Sequence, residues 1–448
     1  MISARFLAYQ ILLHLDQKPS QPDRLIRAML ERHAAMDPRD RALTTELVYG
    51  VLRWQAKLDW HIDQLSKIKP QKIHPAVRMS LRLALYQILF LDRIPPHAAV
   101  NEAVKIVKAN QPEHLASFVN GLLREALRRQ GKWRLPSAQD QPADYLAIAS
   151  SQPKWFIDAL LADLGFAEAR DFCLSSNQVA PLVLRVNTLK TGTSEVVDGL
   201  RQLEIEAKPS PFLPDSIRIV GLRQDIAQLG IFTEGLVQVQ DEASQLVANL
   251  LAPGPGDRVL DLCAGFGGKA TQFGIMMRNE GDILAVEQSA WKLEELRENA
   301  ARQGVGIIET RAGAVQELPF EELGRFDRVF LDAPCTGFGS LRRNPDIKWR
   351  RHRKDPIRFA RLQKELLAHA ARFVKPGGVL VYATCTIFKE ENEEVAEHFS
   401  SIHPDFQLEP AADLLPPHCR SLAAGPFFRS WPHQHDIDGF FAARWRKN

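Results

Sequence analysis

The sequence predicts an α/β protein in three parts. An all-helical domain occupies residues 1–135, and a small α+β domain residues 146–245. A C-terminal domain, residues 246–448, carries a parallel sheet with helices on both faces. Three observations lead there. Apolar residues recur at helical spacing up to about residue 130, with no strand pattern of any length. β-rich and helical runs then mix as far as about residue 245. From Pro253 the rhythm becomes strand, loop, helix, repeated, which is the pattern of a parallel sheet. A chain of 448 residues has room for about three domains.

Ala4, Leu7, Ile11, Leu12 and Leu15 fall on one face of a helix over residues 3–16. Asp37-Pro38, a cap residue and a first-turn proline, opens a longer helical stretch over 39–66, read as one helix or two. Val77, Leu81, Leu85, Ile88 and Leu89 repeat the stripe over 75–91. Pro95-Pro96 breaks it, and helices resume over 98–108 and 113–129, the last ending at Gly131. Residues 131–145 are polar, carry Pro136 and Pro142, and read as a linker. In the middle domain, 154–164 and 194–203 read as helices, and 182–187 and 217–220 as strands. In the last domain, strands are expected over 258–261, 282–287, 306–309, 327–332, 378–383 and 439–444.

Composition narrows the class. Hydrophobic residues make up 45% and charged residues 25%, which excludes a wholly disordered chain, collagen or a low-complexity scaffold. The net charge is +3, from 57 Lys and Arg against 54 Asp and Glu. No apolar run approaches the ~18 residues of a membrane span. The opening Met-Ile-Ser-Ala-Arg-Phe-Leu reads as a charged amphipathic start rather than a signal peptide. The five cysteines, Cys173, Cys263, Cys335, Cys385 and Cys419, include no C-x-x-C pair. That argues against a disulfide framework and a structural zinc site. The expectation is a cytoplasmic protein with free thiols, no metal and no membrane partner.

Leu260-Asp261-Leu262-Cys263-Ala264-Gly265-Phe266-Gly267-Gly268-Lys269 follows a strand and opens a helix, so its glycines let backbone approach a ligand. A P-loop would need Gly at Cys263 and Ser or Thr at Ala270, which excludes a nucleotide triphosphatase of that type. The dinucleotide pattern fits Gly265 and Gly267 but meets Ala270 at its third glycine. Glu287, ending the next strand, suits a ribose diol of a dinucleotide or of S-adenosylmethionine. Lys375-Pro376-Gly377-Gly378 before an apolar strand, and a fourth strand ending Asp332-Ala333-Pro334, are usual in S-adenosylmethionine-dependent methyltransferases. The expected cofactor is therefore S-adenosyl-L-methionine, held by residues 263–269 with Glu287 and Asp332.

Cys335, in Asp332-Ala333-Pro334-Cys335-Thr336-Gly337, and Cys385, in Ala383-Thr384-Cys385-Thr386, each follow a strand. Ligands of open α/β sheets bind beyond the carboxyl ends of the strands. In a methyltransferase strand order these two strands are neighbours, roughly 4.8 Å apart. Both thiols then reach one small substrate. Cys173 and Cys419, and largely Cys263, read as small buried hydrophobes. A methyltransferase needs a thiol when its target is carbon 5 of a pyrimidine, which is a poor nucleophile. A thiolate adding to carbon 6 turns the ring into an enamine, whose carbon 5 can attack a methyl donor. Asp332 can bond the base edge and steady charge on the ring. The residues alone leave open which thiol attacks.

These motifs carry a resemblance. Leu184 to Lys190 (Leu-Arg-Val-Asn-Thr-Leu-Lys), Gln240-Asp241-Glu242-Ala243-Ser244, Asp261 to Lys269, Asp332 to Gly337, Arg342 to Trp349 and Tyr382 to Thr386 resemble the bacterial RNA cytosine-5 methyltransferases of the Sun/RsmB family. Tyr49 to Arg53, Leu83 to Leu89 and Phe118 to Arg124 are similar to that family's NusB-like helical domain. The resemblance covers nearly the whole chain. It implies a Rossmann-like class I methyltransferase domain behind a NusB-like RNA-binding domain. It implies Cys385 as nucleophile and Cys335 as the thiol that assists release of the methylated base. It implies ribosomal RNA as partner, 16S rRNA free or in an early small-subunit particle, with cytosine 967 as target, and a monomeric enzyme. Gly265, Phe266 and Ala270 depart from the family's Cys-Ala-Ala-Pro-Gly-Gly-Lys-Thr loop, and Ala312 stands where an Asp commonly meets the cofactor near its adenine.

Residues 341–364 hold ten Lys or Arg and two Asp, a net +8. Starting six residues after Cys335, the stretch is expected to flank the site and bind phosphates. Arg342, Arg343, Lys348, Trp349, Arg350 and Arg351 are the expected RNA contacts, Trp349 through stacking. Two other classes stay open: a cytosine-5 methyltransferase acting on DNA or on another RNA such as tRNA, and a non-catalytic RNA-binding assembly factor.

Overall fold

The computed structural model describes residues 2–18, 20–222 and 225–448. It contains two compact units, Met1–Asn177 with Asn344–Arg350, and Gln178–Arg343 with Arg351–Asn448. Among the described residues no helix is long and apolar enough to cross a membrane.

The first unit is helical: Ala4–Gln17, Pro22–Arg32, Pro38–Leu65, Pro75–Phe90, Pro96–Asn110, Glu113–Arg128, Pro142–Ala149, Lys154–Ser176 and the short Ile347–Arg350. Their starts follow from sequence chemistry. Ser3 Oγ accepts from the Phe6 amide, and Asp37 Oδ1 from the Arg39 amide. Proline occupies the first turn of five of these helices, where its missing N–H costs nothing. Leu7, Ile11, Leu47, Val51, Leu58, Leu81, Leu85, Val119 and Leu123 meet in one core. The 39–66 stretch is one helix bent at Trp54, which leaves helical geometry (φ −109°, ψ 15°). Two helices go beyond the sequence reading. Pro22–Arg32 carries five charged residues in eleven, and Pro142–Ala149 lies partly in the supposed linker. The helix expected over 154–164 continues through Gly165 (φ 72°) to Ser176 and belongs to this unit.

The second unit opens with four antiparallel strands: β1 (Leu182–Val186), β2 (Glu206–Pro209), β3 (Ser216–Val220) and β4 (Val237–Val239), in the order β2-β3-β1-β4. The main sheet adds β5 (Arg258–Leu262), β6 (Asp282–Glu287), β7 (Ile308–Ala312), β8 (Phe326–Asp332), β9 (Val374–Thr384), β10 (Phe406–Glu409), β11 (Ala423–Ala424), β12 (Phe427–Arg429) and β13 (Phe441–Lys447). Its described order is β11-β12-β13-β9-β8-β5-β6-β7, with β10 beside β13. β5 to β9 run parallel, and β13 pairs antiparallel with β9. The chain winds outward from β5 through β6 to β7, then returns to build β8 and β9 on the other side. The switch point thus falls between β5 and β8, where such sheets bind ligands. Leu260, Val329, Leu331 and Leu380 pack one face of this sheet; Val259, Phe330, Val381 and Ala383 pack the other. This is a Rossmann-like α/β domain.

Three strand positions differ from expectation, β13 among them, which spans Phe441–Lys447 rather than 439–444. β7 starts at Ile308 rather than 306, because Gly304 ends the preceding helix in left-handed conformation and residues 305–307 complete the turn. β9 starts at Val374, so the Lys375-Pro376-Gly377-Gly378 turn is an irregularity within the strand, with Gly377 at φ 75°.

Candidate active site

The register of β8 and β9 sets Asp332 beside Ala383 and continues into both cysteine loops. The Ala333 amide donates to the Ala383 carbonyl (2.9 Å), and the Gly339 amide to the Cys385 carbonyl (2.9 Å). The result is a Cys335 Sγ to Cys385 Sγ separation of 3.3 Å. Contact with the Cys385 sulfur, then burial, push the Cys335 thiol well above its ordinary range. Arg351 donates to the carbonyls of Thr336 (3.1 Å) and Cys335 (3.3 Å), steadying the first loop. Burial, and then Asp332 and Glu287, push the Cys263 thiol up to about 12, so it is no nucleophile. Cys173 and Cys419 are buried.

A cavity of about 380 Å³ lies at the switch point. Cys263, Gly265, Glu287, Ser289, Lys292, Gly313, Val315, Gln316, Asp332 and Pro334 line it, with Leu362 and Leu366. The Glu287 carboxylate is oriented by the amides of Gly265 (3.1 Å) and Ser289 (3.0 Å), and Lys292 lies 3.3 Å away. Lys269 Nζ pairs with Asp332 Oδ2 at 2.7 Å. Burial pulls the Lys269 ammonium down, but Asp332 and Asp261 outweigh it and hold the group above its usual value. Asp261 is buried, with both carboxylate oxygens lacking a hydrogen-bond partner. Burial, with Asp332 next, lifts it to about 8.

Of the expected cofactor residues, Cys263, Gly265, Glu287 and Asp332 line this cavity, whereas Ala264, Phe266, Gly267, Gly268 and Lys269 do not. Gly267 serves packing: it sits at φ 78°, and a Cβ there would lie 2.4 Å from Leu296 Cγ. The Gly268 carbonyl accepts from the buried Arg185 guanidinium (2.6 Å), which also reaches Thr271 and Gln303 (3.0 Å each). That is the structural work of the Leu-Arg-Val-Asn motif. Phe266 is exposed and packs near Trp291, ring centroids 5.4 Å apart.

The expected RNA contacts need correction. Arg342 is buried and paired with Asp436 (2.8 Å); Arg343 pairs with Asp241 (2.7 Å) and Asp438 (3.0 Å). Lys348 is buried and donates to the carbonyls of Arg53 (3.1 Å) and Ser151 (3.2 Å) and to Asn177 Oδ1 (2.8 Å). Trp349 packs against the helical core and donates to the Leu52 carbonyl (2.6 Å). Arg350 pairs with Asp346 (3.1 Å). Arg342 and Lys348 are buried and Arg343 is half-buried, so their charges are satisfied within the protein, whereas Arg350 is exposed. Further exposed cations follow: Arg353, Lys354, Arg358 and Arg361, beside the exposed His352, Ile357 and Leu362. They run into the helix Asp355–Ala371, whose Gln363 donates to the Pro334 carbonyl (2.9 Å) next to Cys335.

Sequence reasoning also missed Glu391, which is fully buried beneath both cysteine loops. Its carboxylate accepts from the Thr336 amide (2.9 Å), Thr336 Oγ1 (2.5 Å), Gln363 Nε2 (3.0 Å) and Thr386 Oγ1 (3.3 Å). The available signal was a threonine directly after each cysteine. Among the described residues no group of His, Cys, Asp or Glu could hold a metal ion.

The chain is similar to known proteins. The family model for "16S rRNA methyltransferase RsmB/F" matches residues 248–446, the NusB family model residues 2–128, and an RsmF/B-like ferredoxin-like domain model residues 152–224. The chain is 38% identical to a probable ribosomal RNA small subunit methyltransferase B of Synechocystis, over 100% of both chains. It is 36% identical to a protein of the same description from Bacillus subtilis, over 99% of both. It is similar to the crystal structure of PH0851 with a TM-score of 0.84 and 29% identity, covering 100% of this chain and 99% of that one.

Proposed function

The chain belongs to the 16S rRNA methyltransferase RsmB/F family, and within it we propose an S-adenosylmethionine-dependent enzyme that methylates carbon 5 of a cytosine in 16S rRNA through a covalent cysteine adduct. The observation that carries this reading is the 3.3 Å thiol pair at the end of β8 and β9, beside the switch-point cavity. Oxygen or nitrogen methylation has no use for two adjacent thiols; carbon 5 chemistry does.

The cavity suits the cofactor. Glu287 would take the ribose hydroxyls, Gly265 allows close backbone approach, and the carboxylate of Asp332 would face the ammonium group. When bound, S-adenosylmethionine supplies an electrophilic methyl group. Everything else falls to this chain's residues. Cys385 adds to carbon 6 and makes carbon 5 nucleophilic. Asp332, held by Lys269, steadies the base edge. After the carbon 5 proton is lost, the carbon 6–sulfur bond breaks and its electron pair returns to Cys385. The Cys335 S–H, aimed at that sulfur, stabilises the departing thiolate.

The cytosine must leave its stack to reach these groups. That favours 16S rRNA free or in an early small-subunit particle over a finished subunit, in the cytoplasm. The exposed cations Arg353, Lys354, Arg358 and Arg361 supply phosphate contacts beside the thiols. One chain carries the full set of site residues, which fits a monomer. The test is methyl transfer from labelled S-adenosylmethionine to unmodified 16S rRNA, followed by nucleoside analysis and mapping. Label in 5-methylcytidine at cytosine 967 is expected. Label entering tRNA but not 16S rRNA would sink the substrate assignment, and label in another nucleoside would sink the carbon 5 chemistry.

A further inference from the structure

We propose that Glu391 is a positioning residue that holds the two cysteine loops together, acting through Thr336 and Thr386. The inference rests on the functional reading above, since it concerns the same thiols. Thr336 follows Cys335 and Thr386 follows Cys385. One carboxylate oxygen of Glu391 accepts from both threonine hydroxyls, at 2.5 and 3.3 Å. The other accepts from the Thr336 amide and from Gln363, at 2.9 and 3.0 Å. The two hydroxyls are themselves 2.7 Å apart.

The next residue extends the clamp. Thr384 Oγ1 donates to Asn392 Oδ1 (2.6 Å), and Asn392 Nδ2 donates to the Thr386 carbonyl (3.0 Å). Cys385 is thus pinned on both sides, and the Tyr382 hydroxyl donates to the Glu391 carbonyl (2.5 Å), tying the clamp to β9. Glu391 and Asn392 are fully buried. Water cannot replace a missing partner there, so losing the carboxylate would leave the loops free to move. A displacement of about 1 Å of a reacting group can cost about 10²-fold in rate. Glu391 does not line the cofactor cavity and acts through the loop threonines, which makes it a positioning residue and not a catalytic one.

The hydrogen-bond inventory gives a clean control. In Glu391→Gln the amide oxygen can accept from the Thr336 amide and Gln363. The amide nitrogen can donate to the two threonine hydroxyls, which accept as readily as they donate. Burial already lifts Glu391 to about 7, so a neutral group there is not foreign to the site. Glu391→Ala keeps none of these contacts.

The experiment has two readouts on the intact protein. In steady-state methylation of 16S rRNA, Glu391→Ala should lower kcat by about 30- to 100-fold with KM for cofactor and RNA unchanged. Glu391→Gln should stay within about threefold of wild type, and Thr386→Val, which removes one hydroxyl from an otherwise isosteric side chain, should fall between them. Separately, without RNA, excess diamide should oxidise Cys335 and Cys385 to a disulfide. The two thiols lose two protons and two electrons and diamide is reduced to its hydrazine, so the protein loses two hydrogens in mass. This closure should be about tenfold slower in Glu391→Ala and slowed also in Thr386→Val, which serves if the alanine variant does not fold. Unchanged kcat and closure rate in these variants would overturn the inference, as would a glutamine variant as poor as alanine. If wild type transfers no methyl group, the functional reading fails, and the closure rates still decide the clamp.

Discussion

The sulfur atoms of Cys335 and Cys385 lie 3.3 Å apart although 50 residues separate them in the chain. Hydrogen bonds between the ends of β8 and β9 produce that contact. The proposed order, in which Cys385 attacks and Cys335 assists release, is tested by removing each thiol in turn. Cys385→Ala is expected to abolish turnover, by about 10³-fold or more, and to form no RNA adduct. Cys335→Ala is expected to attack normally but release slowly, so that a protein–RNA adduct accumulates. Denaturing gel electrophoresis of each variant with labelled RNA checks both. An adduct in Cys385→Ala would reverse the assigned order.

Asp261 sets a pH signature on stability. Its carboxyl titrates near 3.9 in an unfolded chain and at about 8 in the fold, raised by burial first and Asp332 second. Between those values the folded state holds one proton more than the unfolded state. Stability therefore falls as pH rises from about 4 to about 8, by at most about 1.4 kcal/mol per pH unit from this group. Asp261→Asn removes the term. Chemical denaturation across that range should show a shallower decline for the variant. Parallel curves for variant and wild type would show that Asp261 titrates normally.

Among the described residues Lys269 is the ion-pair partner of Asp332, at 2.7 Å, and it lies beside the buried Asp261. Lys269→Met keeps most of the side-chain volume but strands carboxylates next to each other. Breaking a buried pair on one side costs on the order of 3 kcal/mol, and Asp332 would lose the cation that orients it. Thermal melting should drop by several degrees, and kcat should fall. A variant with wild-type melting and wild-type kcat would show that the pair does neither job.

Legibility in the sequence followed the range of the interactions. β5, β6 and β8 declare themselves through short apolar runs bounded by glycine and aspartate, and their observed limits lie within a residue of expectation. Pairing of the two cysteine loops was readable because strand order alone makes β8 and β9 neighbours. The Pro22–Arg32 helix was missed although Leu25, Ile26, Met29 and Leu30 share one face of it, because it is short and five of its eleven residues are charged. The basic run misled for a different reason. Its charge is evident at 341–351, but the acids that neutralise Arg342 and Arg343, namely Asp241, Asp436 and Asp438, lie 94 to 102 residues away. Glu391 is invisible for the same reason, since its threonine partner in the first loop is 55 residues distant.

The RNA surface follows from that correction. Exposed cations attract phosphate, whereas cations already spent on buried acceptors do not. Arg353 and Arg361 are exposed on or just before the helix Asp355–Ala371, which contacts the Cys335 loop through Gln363. The double variant Arg353→Ala, Arg361→Ala is expected to raise KM for RNA about tenfold with kcat nearly unchanged. It should also reduce the slope of log affinity against log salt by about 1.5, at about 0.7 to 0.9 per lost phosphate contact. Lys348→Met should behave oppositely. Burial lowers that ammonium to about 7, and its three acceptors would lose their donor, so melting temperature should fall while the salt slope stays put. Filter binding across a salt series, beside thermal melting, separates the two. A salt slope that changes in Lys348→Met and not in the double variant would return the RNA contact to the buried stretch.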